Sequence, residues 1–122
     1  MESQRTSHGA CIFSHHAPGQ AEEAGVDIRA GDIMQFWKAE WTFEGGGWKK
    51  AGDPDHTAVV VGATRDSNGS WVCQVLEQNV GNAKHVQHGE YVIGTNSGMH
   101  DGAARVFRPV WEGMVNIDTE WN

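Results

Sequence analysis

The stretch from His56 to Asn79 constrains the fold more than any other. It reads His56-Thr57-Ala58-Val59-Val60-Val61-Gly62, then a polar turn, then Trp71-Val72-Cys73-Gln74-Val75-Leu76-Glu77-Gln78-Asn79. The first run is rich in β-branched residues, as a buried strand requires. Asn68-Gly69 within the turn is a hairpin signal. Two adjacent antiparallel strands follow, and with them a meeting of ends. His56 opens one strand, while Glu77 and Asn79 close its partner. An imidazole, a carboxylate and an amide are thereby expected at one rim of a sheet. Glu77 and Asn79 are two apart, so they share a face, and Gln78 takes the other.

The remaining chain reads as further strands between turns. In Ile33-Met34-Gln35-Phe36-Trp37, alternation sends Ile33, Gln35 and Trp37 one way and Met34 and Phe36 the other. Strands are expected near 32–37, 56–63, 70–78, 85–92 and 103–109. The last is ended by Pro109. Cys11-Ile12-Phe13 fits a short strand or the first turn of a helix. Residues 20–25 fit at most a two-turn helix capped by Gly25. Trp41, Phe43 and Trp48 flank Gly45-Gly46-Gly47; they either border a binding cleft or cap a sheet edge. Gly52-Asp53-Pro54-Asp55 is a turn just before His56, and one of its two carboxylates is a candidate to orient the imidazole.

Length bounds this to one domain, 1–122, with 1–10 and 111–122 peripheral. The formal charge of −7 argues against a nucleic-acid backbone as partner and is compatible with a cationic one. No apolar run approaches the roughly 18 residues of a membrane span. No signal peptide is visible at the start, so the cytoplasm is the default location, or the exterior if a leader has been removed. Cys11 and Cys73 give neither a disulfide framework nor a metal motif. His8, Cys11, His15 and His16 form a loose cluster without closing ligand spacing, and solvent-facing histidines are the preferred reading. No metal and no other cofactor are expected.

Gly31-Asp32-Ile33-Met34-Gln35-Phe36, His56-Thr57-Ala58-Val59-Val60 and Leu76-Glu77-Gln78-Asn79 resemble, in that order, the CHAP branch of the papain-like cysteine amidases and peptidases. Arg105-Val106-Phe107-Arg108-Pro109 resembles the last strand of such domains. The resemblance covers residues 31–110. It implies an α+β fold, with a short N-terminal helical element and a small curled antiparallel sheet of about five strands. It also implies His56 as base, Glu77 as orienting group, Asn79 as auxiliary polar residue, and a cysteine nucleophile at a helix start. Cys11 is the upstream candidate. Pro18 and Gly19 follow it closely, so the nucleophile element is abbreviated or altered. Cys73, inside a strand, suits the role less. A thiolate activated by an imidazole that a carboxylate holds in place is coherent chemistry for attack on an amide.

Three functions remain open at this stage. The chain is a cysteine amidase or peptidase acting on peptidoglycan-like amides, a catalytically silent binding or assembly domain of the same fold, or a structural protein. The short core and the tryptophans point to a homodimer, with Trp41, Trp48 or Trp111 near the contact.

Overall fold

The computed structural model describes residues 5–6, 9–78 and 85–109 of the chain. Eight strands occur among them: β1 (Arg5–Thr6), β2 (Gly9–His16), β3 (Glu22–Glu23), β4 (Ile33–Thr42), β5 (Trp48–Arg65), β6 (Trp71–Glu77), β7 (Gln87–Ile93) and β8 (Met99–Arg108). Every pairing is antiparallel. The order across the sheet is β1-β2-β8-β4-β5-β6-β7, with β3 attached to β2. Among the described residues no pairing joins β7 back to β1, so the sheet is open.

This corrects the expected α+β fold. The described residues contain no helix, more than five strands, and no sheet closed on itself. The reasons are local. Cys11 to His16 finds a ladder partner in β8, interrupted only by a bulge at Ile12, with Cys11 opposite Phe107 and His16 opposite Ala103. Residues 20–25 are too few to repay the cost of starting a helix. Glu22 and Glu23 instead pair with Ser14 and Phe13. The turn expected before His56 is absorbed into the long β5, which runs through Gly52 and Pro54.

The hairpin at the centre forms as its sequence dictates. Ala58 opposes Glu77 and Arg65 opposes Trp71. Asp66 Oδ1 accepts the N–H groups of Asn68 and Ser70, both at 2.9 Å, which fixes the turn. Alternation in β4 also holds: Met34 and Phe36 are buried, whereas Trp37 is 49% exposed. One face of the sheet carries the core, with Phe13, Met34, Phe36, Trp41, Val60, Val75, Ile93 and Val106 almost fully buried.

β4 is not regular throughout. Its register shifts after Trp37 against both β5 and β8. Lys38 sits there at φ 46°, a left-handed conformation unusual for a residue with a Cβ. Gly102 of β8 makes this bulge possible, because a Cβ at that position would lie 2.1 Å from the Lys38 carbonyl oxygen. The bulge turns the far ends of β4 and β5 into an arm that reaches β7. Trp41 Nε1 donates to Val92 O at 2.8 Å, and Lys49 Nζ donates to Glu90 O at 2.6 Å.

The Gly31-Asp32 pair closes the opposite end. Gly31 N–H donates to Val60 O and Val60 N–H donates to Asp32 O, both at 2.8 Å. The buried Asp32 carboxylate accepts Arg108 Nε and Nη2, each at 3.0 Å, and the Arg29 N–H at 2.9 Å. The first and last motifs of the sequence therefore meet in one ion pair.

Trp41 is buried, Trp48 is 71% exposed, and Trp111 lies outside the described residues. No described helix is long and apolar enough to cross a membrane.

Candidate functional site

His56 lies opposite Phe36 on β5, and Glu77 is the last residue of β6, opposite Ala58. Both side chains rise from the core face, and they meet: His56 Nε2 is 2.8 Å from Glu77 Oε1. Tyr91 of β7 donates its hydroxyl proton to the same oxygen. Burial pushes the Tyr91 phenol above its ordinary value, and the hydrogen bond and charge of Glu77 push it further. The phenol thus keeps its proton and acts as donor. With Oε1 accepting from Tyr91, it also accepts from a protonated Nε2 of the imidazole. Nδ1 is then the ring nitrogen left for other partners.

Packing holds the ring in place. Phe36 stacks on His56 with centroids 6.2 Å apart and planes 20° from parallel. Tyr91 packs on Phe36 at 4.5 Å, and Lys49 Nζ lies 4.1 Å over the outer face of the phenol ring. Gly89, between Tyr91 and Gln87 on β7, leaves the space that the Glu77 carboxylate fills. A Cβ there would sit 1.8 Å from Glu77 Oε2. His56, Glu77 and Tyr91 border an open cleft of about 1260 Å³ between the β4–β5 arm and the β6–β7 hairpin.

The structure brings His56 to Glu77 and does not bring Cys11 to either. Residues directly opposed in an antiparallel ladder share a face. Cys11 opposes Phe107, Phe107 opposes Ile33, and Ile33 opposes Val59. His56 opposes Phe36, which is an odd number of residues from Ile33 and so projects from the other side. The thiol and the imidazole occupy opposite faces, three strands apart, or about 14 Å along the sheet. Cys11 is buried, and its Sγ donates to Phe13 O at 3.3 Å. Desolvation raises its pKa, and the opposing effects of that hydrogen bond and of Arg105 are smaller. Cys73 is fully buried under the hairpin, and its pKa is pushed up to about 12 by burial and by the charge of Asp32. Asn79 lies outside the described residues. Asp53 and Asp55 line the cleft, but Glu77 holds the imidazole. Among the described residues, no three of His, Cys, Asp and Glu are grouped to hold a metal ion.

Two members of the site were missed in the sequence. Gly89 and Tyr91 lie in a segment whose weak alternation reads only as an edge strand. A glycine inside a strand is nevertheless a sign of close approach, and Tyr91 shares its face. Tyr91→Phe removes the second donor to a buried carboxylate and nothing else. It should lower stability by about 2 kcal/mol, the usual range for a hydrogen bond to a charged group. Urea unfolding measures this; a change below about 0.5 kcal/mol would show that the phenol contributes packing alone.

A family profile described as AIM3/BBC1 cysteine proteinase-fold domain matches residues 1–119, and the chain belongs to that family. Membership is consistent with the papain-like part of the resemblance seen in the sequence. No curated protein and no solved structure matches the chain.

Proposed function

We propose that this chain is a catalytically silent domain of the cysteine proteinase fold, which binds a partner in the cleft beside His56 and Glu77. The motif order Gly31-Asp32, His56, Glu77 supports a place near the CHAP branch, with the base and its carboxylate kept as a binding element. One observation carries the reading: Cys11 and His56 stand on opposite faces of the sheet. A general base must lie within hydrogen-bond reach of the proton it takes. Activation of Cys11 by His56 would require β2 to leave the β8 ladder. The alternative, a hydrolase of peptidoglycan-like amides, depends on such a rearrangement.

A thiol-directed probe separates the two. Burial and a raised pKa both reduce the thiolate fraction at neutral pH. Cys11 should therefore react with iodoacetamide more slowly than free cysteine, and His56→Ala should leave the rate unchanged. Labelling faster than free cysteine, slowed by that substitution, would overturn the silent reading.

A further inference from the structure

β5 is longer than its neighbour on one side. β6 accompanies it from Arg65 only to Ala58, whereas β4 continues on the other side as far as Trp48. Beyond Thr57, the edge of β5 that faces away from β4 has no strand beside it among the described residues. The cleft lies along that edge. Asp53, Asp55 and His56 line it from β5, and Glu77, Gln78 and Val86 face them.

The ladder fixes which backbone groups look into it. The N–H and C=O of Val60 both bond residues at the start of β4. Alternation then directs those of His56 to β4 and those of Asp55 to the cleft. Open strand edges are templates for a further strand, and proteins usually cover or charge them. The arm covers β7 in this way, through Trp41 and Lys49. Among the described residues the β5 edge has no such cover, and it sits inside a cleft larger than the roughly 300–1,000 Å³ typical of small-molecule pockets.

The charges state what kind of strand fits. Asp53 and Asp55 are exposed, and among the described residues neither carboxylate has a hydrogen-bond or ion-pair partner. Of the cations on the lining, Lys50 is paired with Glu40 at 3.5 Å, and Lys38 Nζ lies 5.6 Å over the Trp37 ring. Within the non-catalytic binding function proposed above, we infer that the cleft receives an extended basic segment of a partner polypeptide. The segment adds as a strand along β5 at Asp55 and sets lysine or arginine side chains against Asp53 and Asp55.

Three fluorescently labelled octapeptides test this by anisotropy against the full chain: alternating Lys and Thr, alternating Glu and Thr, and the Lys-Thr peptide N-methylated at alternate residues. The Lys-Thr peptide should bind at least tenfold more tightly than either of the others. The double variant D53N/D55N should lose at least tenfold in affinity for it, while E22Q/E44Q, which removes two exposed charges elsewhere, should not. Amide resonances of Asp55, His56 and Thr57 should shift on binding. Equal binding of the methylated or the acidic peptide, an equal loss in E22Q/E44Q, or no binding at all would overturn the inference. Mass spectrometry of the same samples tests the silent reading separately. Recovery of intact peptide supports that reading, and cleavage overturns it without deciding how the peptide is held.

Discussion

Asp32→Ala should destabilise the protein by about 3 kcal/mol. Truncating one member of a buried, hydrogen-bonded ion pair costs about 3–5 kcal/mol, because the remaining charge is left without compensation. Asp32 is 2% exposed and accepts three hydrogen bonds, two from Arg108 and one from the Arg29 N–H. The low end of the range applies because the Arg108 side chain is 21% exposed and keeps the Asp27 carbonyl at 2.6 Å. The loss is larger than that of a surface pair, which is worth about 0–1 kcal/mol. Arg108→Ala and the double variant complete a cycle that isolates the pairwise term, read from urea midpoints. An interaction energy near zero would mean that the two ends of β4 and β8 are held by the ladder alone. Asp32→Asn should not rescue, since its amide turns N–H groups towards a guanidinium that has only donors.

That ion pair also shows what the sequence could and could not reveal. Gly31-Asp32 and Arg105 to Pro109 both stand out in the sequence, but nothing local links residues 76 positions apart. Strands with strong alternation, such as Ile33 to Trp37, were legible because burial on one face writes a period of two into the chain. The central hairpin was legible because Asn68-Gly69 signals a turn, which Asp66 and the positive φ of Gly69 close, and because β-branched residues fill its first strand. The N-terminal segment was not. Cys11-Ile12-Phe13 carries no period of its own, and only its pairing with β8 decides strand over helix. The same applies to Glu22 and Glu23, whose pairing with Phe13 and Ser14 no local propensity announces.

For the site, the sequence juxtaposed His56 and Glu77 through hairpin geometry, and the ladder places them within a hydrogen bond. The position of Cys11 relative to that pair depends on strand order, β2-β8-β4-β5, and on parity along each ladder. Neither can be read from spacing. A shift of one residue in any of those registers would move the thiol to the other face. The separation of thiol and imidazole is thus set by global topology, while the imidazole–carboxylate contact is set by one local hairpin.

Gly89→Ala should cost about 3 kcal/mol and should disturb the site more than any exposed substitution in the cleft. The added Cβ would lie 1.8 Å from Glu77 Oε2 and 2.7 Å from its carboxyl carbon, with Val75 Cγ2 at 3.3 Å behind them. Glu77 is 5% exposed, and its carboxylate could swing out into the cleft only by giving up its hydrogen bonds to His56 and Tyr91. Overpacking alone costs about 1–3 kcal/mol. Displacing a buried carboxylate from two donors adds about 1–3 kcal/mol, and removal of a strand glycine returns about 0.5–1 kcal/mol by restricting the unfolded chain. Gly62→Ala is the control: nothing lies within 4 Å of a Cβ there, so its effect should stay within about 0.5 kcal/mol. Stability from urea unfolding and the position of the His56 ring resonances should change together in Gly89→Ala, because Glu77 cannot move without releasing Nε2. A stable Gly89→Ala protein with unaltered His56 resonances would mean that the carboxylate has another low-energy position. The imidazole–carboxylate contact would then be one of several arrangements open to the cleft.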